Sequence, residues 1–149
     1  MTVDQLTRID NQVLIHAPRS RVWKALITPS EFAQWFRLSL TATELAPGER
    51  VHVVSTYPGY EGTKFFIDIV EVIPEQRFVW RWQHGDKADD PFTTVTFKLE
   101  EVEGGTLVKV TEDGFDKISL EKRAKAFEGN TKGWQMQMQN IHDYVEQNR

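Results

Sequence analysis

The chain has 149 residues, a formal net charge of -4, no cysteine, five tryptophans and nine phenylalanines. That length suits one domain with a full core of its own. The absence of Cys excludes disulfides, thiolate metal sites and Cys nucleophiles, and the acidic balance excludes nucleic acid as the main partner, because phosphate binding needs surplus Lys and Arg. No apolar stretch approaches the ~20 residues of a membrane span, and Met1 to Arg8 lack the apolar core of a signal peptide. A cytoplasmic protein without integral membrane association is therefore expected.

Ile9, Asn11, Val13 and Ile15 alternate with Asp10, Gln12, Leu14 and His16, the period-two pattern of a half-buried strand. Pro18 suits the first position of a helix, where its missing N–H costs nothing, and Val22, Trp23, Leu26 and Ile27 follow at helical spacing. A second short helix is predicted from Thr28. Thr28 and Glu31 have the spacing of a capping box around Pro29, and Phe32, Trp35 and Phe36 form the apolar face.

From residue 38 to 113 the pattern is all strand. Leu38 to Glu44 and Arg50 to Tyr57 flank a Pro47-Gly48 turn. Pro58, Gly59 and Gly62 precede Lys64 to Ile73, and Pro74-Glu75 turns into Gln76 to Gln83. A polar loop, His84 to Pro91, leads to Phe92 to Glu100, and Gly104-Gly105 turns into Thr106 to Asp113. Strands with such short links form an antiparallel meander. Trp134, Met138, Ile141 and Val145 then mark one stripe of a long C-terminal helix. Gly129 and Gly133 predict a kink between that helix and a shorter one over Ser119–Phe127. The fold class is α+β: a curved antiparallel sheet of six to seven strands gripping the C-terminal helix, with two short helices after the first strand.

Ala17-Pro18, Val22-Trp23, Ala25-Leu26, Pro29 and Gln34-Trp35-Phe36 resemble the opening signature of a branch of the START-like helix-grip superfamily. That branch is named after the activator of the heat-shock-protein-90 ATPase. Val70 to Glu75 with Phe78 to Trp82 resemble its central hairpin, and Thr111 to Phe115 with Gly133-Trp134 its last strand and the start of its last helix. The resemblance covers nearly the whole chain and implies one START-like domain over residues 1–149. It also implies an apolar cavity between sheet and long helix, used across the superfamily for lipids, hormones or polyketides. The eukaryotic co-chaperones of the name carry a further N-terminal domain that binds the chaperone. These residues hold no such domain, so a chaperone partner is not expected, and the chain is expected to be a monomer or homodimer.

The candidate ligand-binding set is Trp35, Phe36, Phe66, Phe78, Trp80, Trp82, Phe97, Trp134 and Met138, from elements expected to converge on one interior. Taken singly, each is an ordinary core residue. As a set, bulky rings between a curved sheet and a helix leave irregular apolar gaps suited to a small hydrophobic molecule. Two acids share parity with apolar residues: Asp68 with Phe66, Val70 and Val72, and Glu112 with Val108 and Val110. If either faces inward, burial raises its pKa and makes it a proton donor. The simpler assignment is an arginine partner such as Arg50, Arg77 or Arg81. Glu112 is the better candidate, and no catalytic residue is otherwise proposed. His16, His52, His84 and His142 show no metal-ligand spacing, so no metal is expected. With no phosphate loop, nucleophile elbow or Rossmann fingerprint, no cofactor is expected either. Lys117, Lys122, Arg123 and Lys125 read as the solvated face of a short helix, and Asp86, Asp89, Asp90 and Glu100, Glu101, Glu103 as solvated hairpin ends. A binding module leads over two alternatives, a cyclase or aromatase-like enzyme working through Glu112 and a chaperone-associated protein.

Overall fold

The alternation near the N-terminus forms a strand, β1 (Arg8–Ile15), in the computed structural model, which describes residues 2–149. The helices α1 (Arg19–Ile27) and α2 (Pro29–Phe36) follow. The sheet continues with β2 (Leu38–Leu40), β3 (Arg50–Ser55), β4 (Lys64–Ile73), β5 (Arg77–Gln83), β6 (Phe92–Val102) and β7 (Gly105–Asp113), and the chain ends in α3 (Leu120–Gln147). All pairings are antiparallel, in the order β1-β7-β6-β5-β4-β3-β2. This is the helix-grip architecture expected from the sequence, with seven strands. No helix among the described residues is long and apolar enough to cross a membrane.

One face of the sheet is the core. Ile67, Ile69, Phe78, Trp80, Val95, Phe97, Val108 and Val110 are buried there against Trp134, Met138, Ile141 and Val145 of α3 and against Phe32, Trp35 and Phe36 of α2. At about 25 cal/mol per Å² of apolar surface removed from water, such a ring-rich layer supplies most of the drive to fold.

Four local expectations are corrected. The helix α3 is continuous over 28 residues, with no break at Gly129 or Gly133 and no separate helix over Ser119–Phe127. Two glycines cost about 2 kcal/mol of helix propensity together, less than burying the Trp134–Val145 stripe returns. The predicted strand Leu38 to Glu44 shrinks to three residues in β2. Thr28 caps α2 through its backbone alone, because the Glu31 carboxylate pairs with Arg21 at 2.8 Å and accepts a hydrogen bond from Tyr144 Oη at 2.9 Å. Arg123 is not solvated: it is 7% exposed and donates to the Ile118 carbonyl at 2.9 Å and the Asp116 carbonyl at 2.8 Å, clamping the turn that leads into α3.

Candidate functional site

Aromatic side chains from β5, β6, α2 and α3 meet at the centre of the grip. Trp80 stacks on Phe97 with centroids 5.6 Å apart, and Trp82 stacks on Trp134 at 5.8 Å. Phe32 meets Trp80 edge-on at 5.7 Å and Phe36 does so at 6.2 Å, both within the range of favourable ring pairs. Eight of the nine residues expected at this interior are there: Trp35, Phe36, Phe78, Trp80, Phe97, Trp134 and Met138 are buried, and Trp82 is half-buried at the margin.

Phe66 does not join them. It lies on the opposite face of the sheet, where the Arg50 guanidinium sits 4.0 Å above its ring and His52 and Phe92 flank it. Asp68 lies on that face too, and Arg50 holds it with two hydrogen bonds of 2.8 and 3.0 Å. The cause is a β-bulge between Ile69 and Glu71. Before it, Phe65, Ile67 and Ile69 turn inward; after it, Val72 does, so the two halves of β4 have opposite parity.

Glu112 does face inward, and it is fully buried at 0% exposure. Its Oε2 accepts hydrogen bonds from Trp82 Nε1 at 2.8 Å, Thr93 Oγ1 at 2.6 Å and His84 Nε2 at 3.2 Å. Its Oε1 accepts from Trp134 Nε1 at 2.8 Å, and Asn130 Nδ2 bridges both oxygens at 2.9 and 3.0 Å. Burial is the largest single influence and pushes the carboxyl up. The bonds from His84, Thr93, Trp82 and Trp134 together outweigh it and hold the group below its ordinary value. The raised pKa expected from burial is thus reversed: Glu112 is an ionised acceptor tying β5, β6 and α3 to β7.

His84, Thr93 and Asn130 lie outside the candidate set, yet each extends an apolar stripe that the sequence does show. His84 continues Trp80 and Trp82, Thr93 precedes Val95 and Phe97, and Asn130 stands four residues before Trp134. The signal was a polar residue closing the same end of three stripes.

Among the indoles of this interior, Trp35 donates to the Ala25 carbonyl at 2.8 Å, while Trp82 and Trp134 donate to Glu112. Trp80 differs. Its Nε1 is buried and finds no acceptor among the described residues.

A long helix held by a curved antiparallel sheet, with two short helices after the first strand, places the protein in the START-like helix-grip class. Residues 16–146 match the family described as activator of Hsp90 ATPase homolog 1-like protein, and the chain belongs to that family. Three solved structures show the same fold. A protein from Mesorhizobium loti is 21% identical, with a TM-score of 0.76 over 95% of this chain and 98% of that one. One from Mycobacterium smegmatis is 18% identical, with a TM-score of 0.80 over 100% and 97%. The Aha1 dimer from Colwellia psychrerythraea is 17% identical, with a TM-score of 0.75 over 93% and 96%. No curated protein matches the chain.

Proposed function

We propose that the protein binds a small hydrophobic molecule between the sheet and α3, and that the Trp80 indole N–H recognises a hydrogen-bond acceptor on it. The observation that carries this reading is the orphaned donor. A buried N–H without a partner costs about 1–3 kcal/mol, and such groups are rare in native interiors. Here it points from the middle of an aromatic cluster at 0% exposure. A ligand carbonyl or hydroxyl would satisfy it while the rings of Phe32, Phe36, Phe97 and Trp134 take the apolar body. The half-buried Trp82 and Phe65 mark the side on which this cluster reaches solvent. The rings touch one another, so access requires them to part.

The test uses a long-chain ketone and the alkane of equal length, each displacing a solvatochromic naphthalene probe from the full chain. Trp80→Phe removes the donor together with the fused five-membered ring, and the alkane is the control for the lost ring contact. One hydrogen bond is worth about 0.5–1.5 kcal/mol, so the ketone should lose about 2- to 12-fold more affinity for the variant than the alkane does. An equal loss for ketone and alkane sinks the assignment of Trp80. Failure of both probes to bind either protein sinks the binding reading. Native mass spectrometry before and after solvent extraction is the companion measurement, since a retained mass gives the ligand's chemical class.

A reaction of the cyclase kind would require Glu112 to hold a transferable proton, and its lone pairs are already committed to six hydrogen bonds. The binding reading is therefore preferred. A homodimer is proposed by analogy with the Colwellia relative, and light scattering on the full chain tests it.

A further inference from the structure

Far from the aromatic interior, the C-terminal end of α3 meets the end of β1. His142 and Glu146 stand four residues apart on one face of the helix, and His16 follows directly after the last residue of the strand. Glu146 Oε2 lies 3.0 Å from His16 Nδ1 and 2.8 Å from His142 Nε2, and the three potential ligand atoms all fall within 4.8 Å of one another. The geometry points to a divalent metal site for zinc or a similar borderline cation, built from His16, His142 and Glu146.

Four observations carry this. First, the spacing is close to that of a loaded site. Ligand atoms about 2.0–2.1 Å from a tetrahedral zinc are about 3.3 Å apart, so a modest outward movement of the imidazoles admits the ion. Second, the second shell is in place. His142 Nδ1 lies 2.9 Å from Asp143 Oδ1, and that same oxygen accepts from Gln139 Nε2 at 2.8 Å. A carboxylate on the far nitrogen fixes the tautomer that leaves Nε2 free for a metal.

Third, Glu146 is held in place. The His16 backbone N–H donates to its Oε2 at 3.1 Å. Its Oε1 faces Arg149 at 3.9 Å, so Oε2 is the ligating atom. Fourth, the backbone that carries His16 is anchored. A Cβ at Gly105 would lie 2.1 Å from the Ile15 carbonyl oxygen, so β7 pins the chain immediately before His16. The His16 side chain is 56% exposed and that of Glu146 20%, which leaves an open side for the ion and for a water as fourth ligand.

The experiment is calorimetric titration of the chelator-stripped full chain with zinc chloride alone. One zinc per chain should bind. His16→Gln and His142→Gln should each weaken binding at least tenfold, and His52→Gln, at an exposed histidine elsewhere, should leave it unchanged. Histidine-selective NMR of the wild type during the titration provides a readout that needs no variant, with signals of His16 and His142 shifting first. No saturable binding, binding unchanged in the His16→Gln, His142→Gln double variant, or first shifts at His52 or His84 would each overturn the site.

Discussion

Replacing Glu112 by Gln is the sharpest probe of the buried cage, because the substitution conserves shape and changes one oxygen into a donor. Suppose the new NH2 takes the Oε1 position. It then faces Trp134 Nε1 at 2.8 Å and Asn130 at 2.9 Å. Asn130 can rotate to present its carbonyl, but an indole N–H is a donor only. Suppose instead it takes the Oε2 position. Thr93 can turn to accept, and His84 can change tautomer, but Trp82 Nε1 at 2.8 Å cannot. Either way one buried indole N–H is stranded, at about 1–3 kcal/mol, and the remaining bonds lose their charge assistance. Relief from burying a charge returns part of this, leaving a loss of about 3 kcal/mol. At about 2–4 °C per kcal/mol for a domain of this size, Tm should fall by about 6–12 °C.

The assay is denaturant unfolding with a double-mutant cycle against Trp134→Phe and Trp82→Phe. In the Gln background at least one of these should cost at least about 1 kcal/mol less than in the wild type, since the conflict it removes is already present. Wild-type stability for Glu112→Gln, or strict additivity with both indole variants, refutes the account. The pH dependence has a definite sign. Because the folded carboxyl is held below its ordinary 4.5, its stabilisation is complete above that value and is lost as pH falls through the lower folded one. The gap between wild type and Glu112→Gln should therefore close on acidification below 4.5.

The glycines of α3 and of the β6–β7 turn should respond oppositely to alanine. At Gly129 and Gly133 a Cβ meets nothing within 4 Å, so each substitution should raise stability by about 0.5–1 kcal/mol in chemical denaturation. Gly105→Ala drives a methyl into the Ile15 carbonyl and should cost about 1–3 kcal/mol, with amide exchange in β1 accelerating first. Arg123→Ala strands the carbonyls of Ile118 and Asp116 and should cost about 2 kcal/mol in the same denaturation assay. Arg123→Lys should recover less than half of that, because an ammonium lacks the fork that reaches both. Trp80→Phe should cost less stability in the same assay than Trp35→Phe, whose indole N–H is paired with the Ala25 carbonyl, because removing an unpaired donor offsets part of the lost ring packing.

The succession of elements along the chain and the helix grip are legible because their signals are local and redundant: the Pro74-Glu75 and Gly104-Gly105 turns set β5 and β7, and the Trp134–Val145 stripe sets α3, whereas the pairing of β1 with β7 has no local signal. What failed was whatever depended on a partner distant in sequence. The facing of Phe66 turned on a bulge that leaves no mark in a strand apolar at both parities. The Thr28 and Glu31 capping box lost to Arg21 and Tyr144, the latter at the far end of the chain. Arg123 looked solvated because nothing in its neighbourhood announces that two turn carbonyls need a donor. The burial of Glu112 can be read from parity, but its ionised state cannot, because its donors lie on four other segments. His142 and Glu146 stand one helical turn apart, but His16 lies near the other end of the chain, and only the closure of the grip brings it to them.

The sheet order also has a consequence for how the chain reaches its native state. The strand β1 is synthesised first but pairs only with β7, close to the other end of the chain. Its pairing closes a loop that contains nearly every other element, and such closures are slow because entropy is lost before contacts compensate. Until then β7 presents a bare edge rich in Val and Thr, the kind of edge that recruits other chains. Refolding should therefore show a late phase in which protection of β1 and of the β7 edge appears together. Loss of yield at high protein concentration should concentrate in that interval.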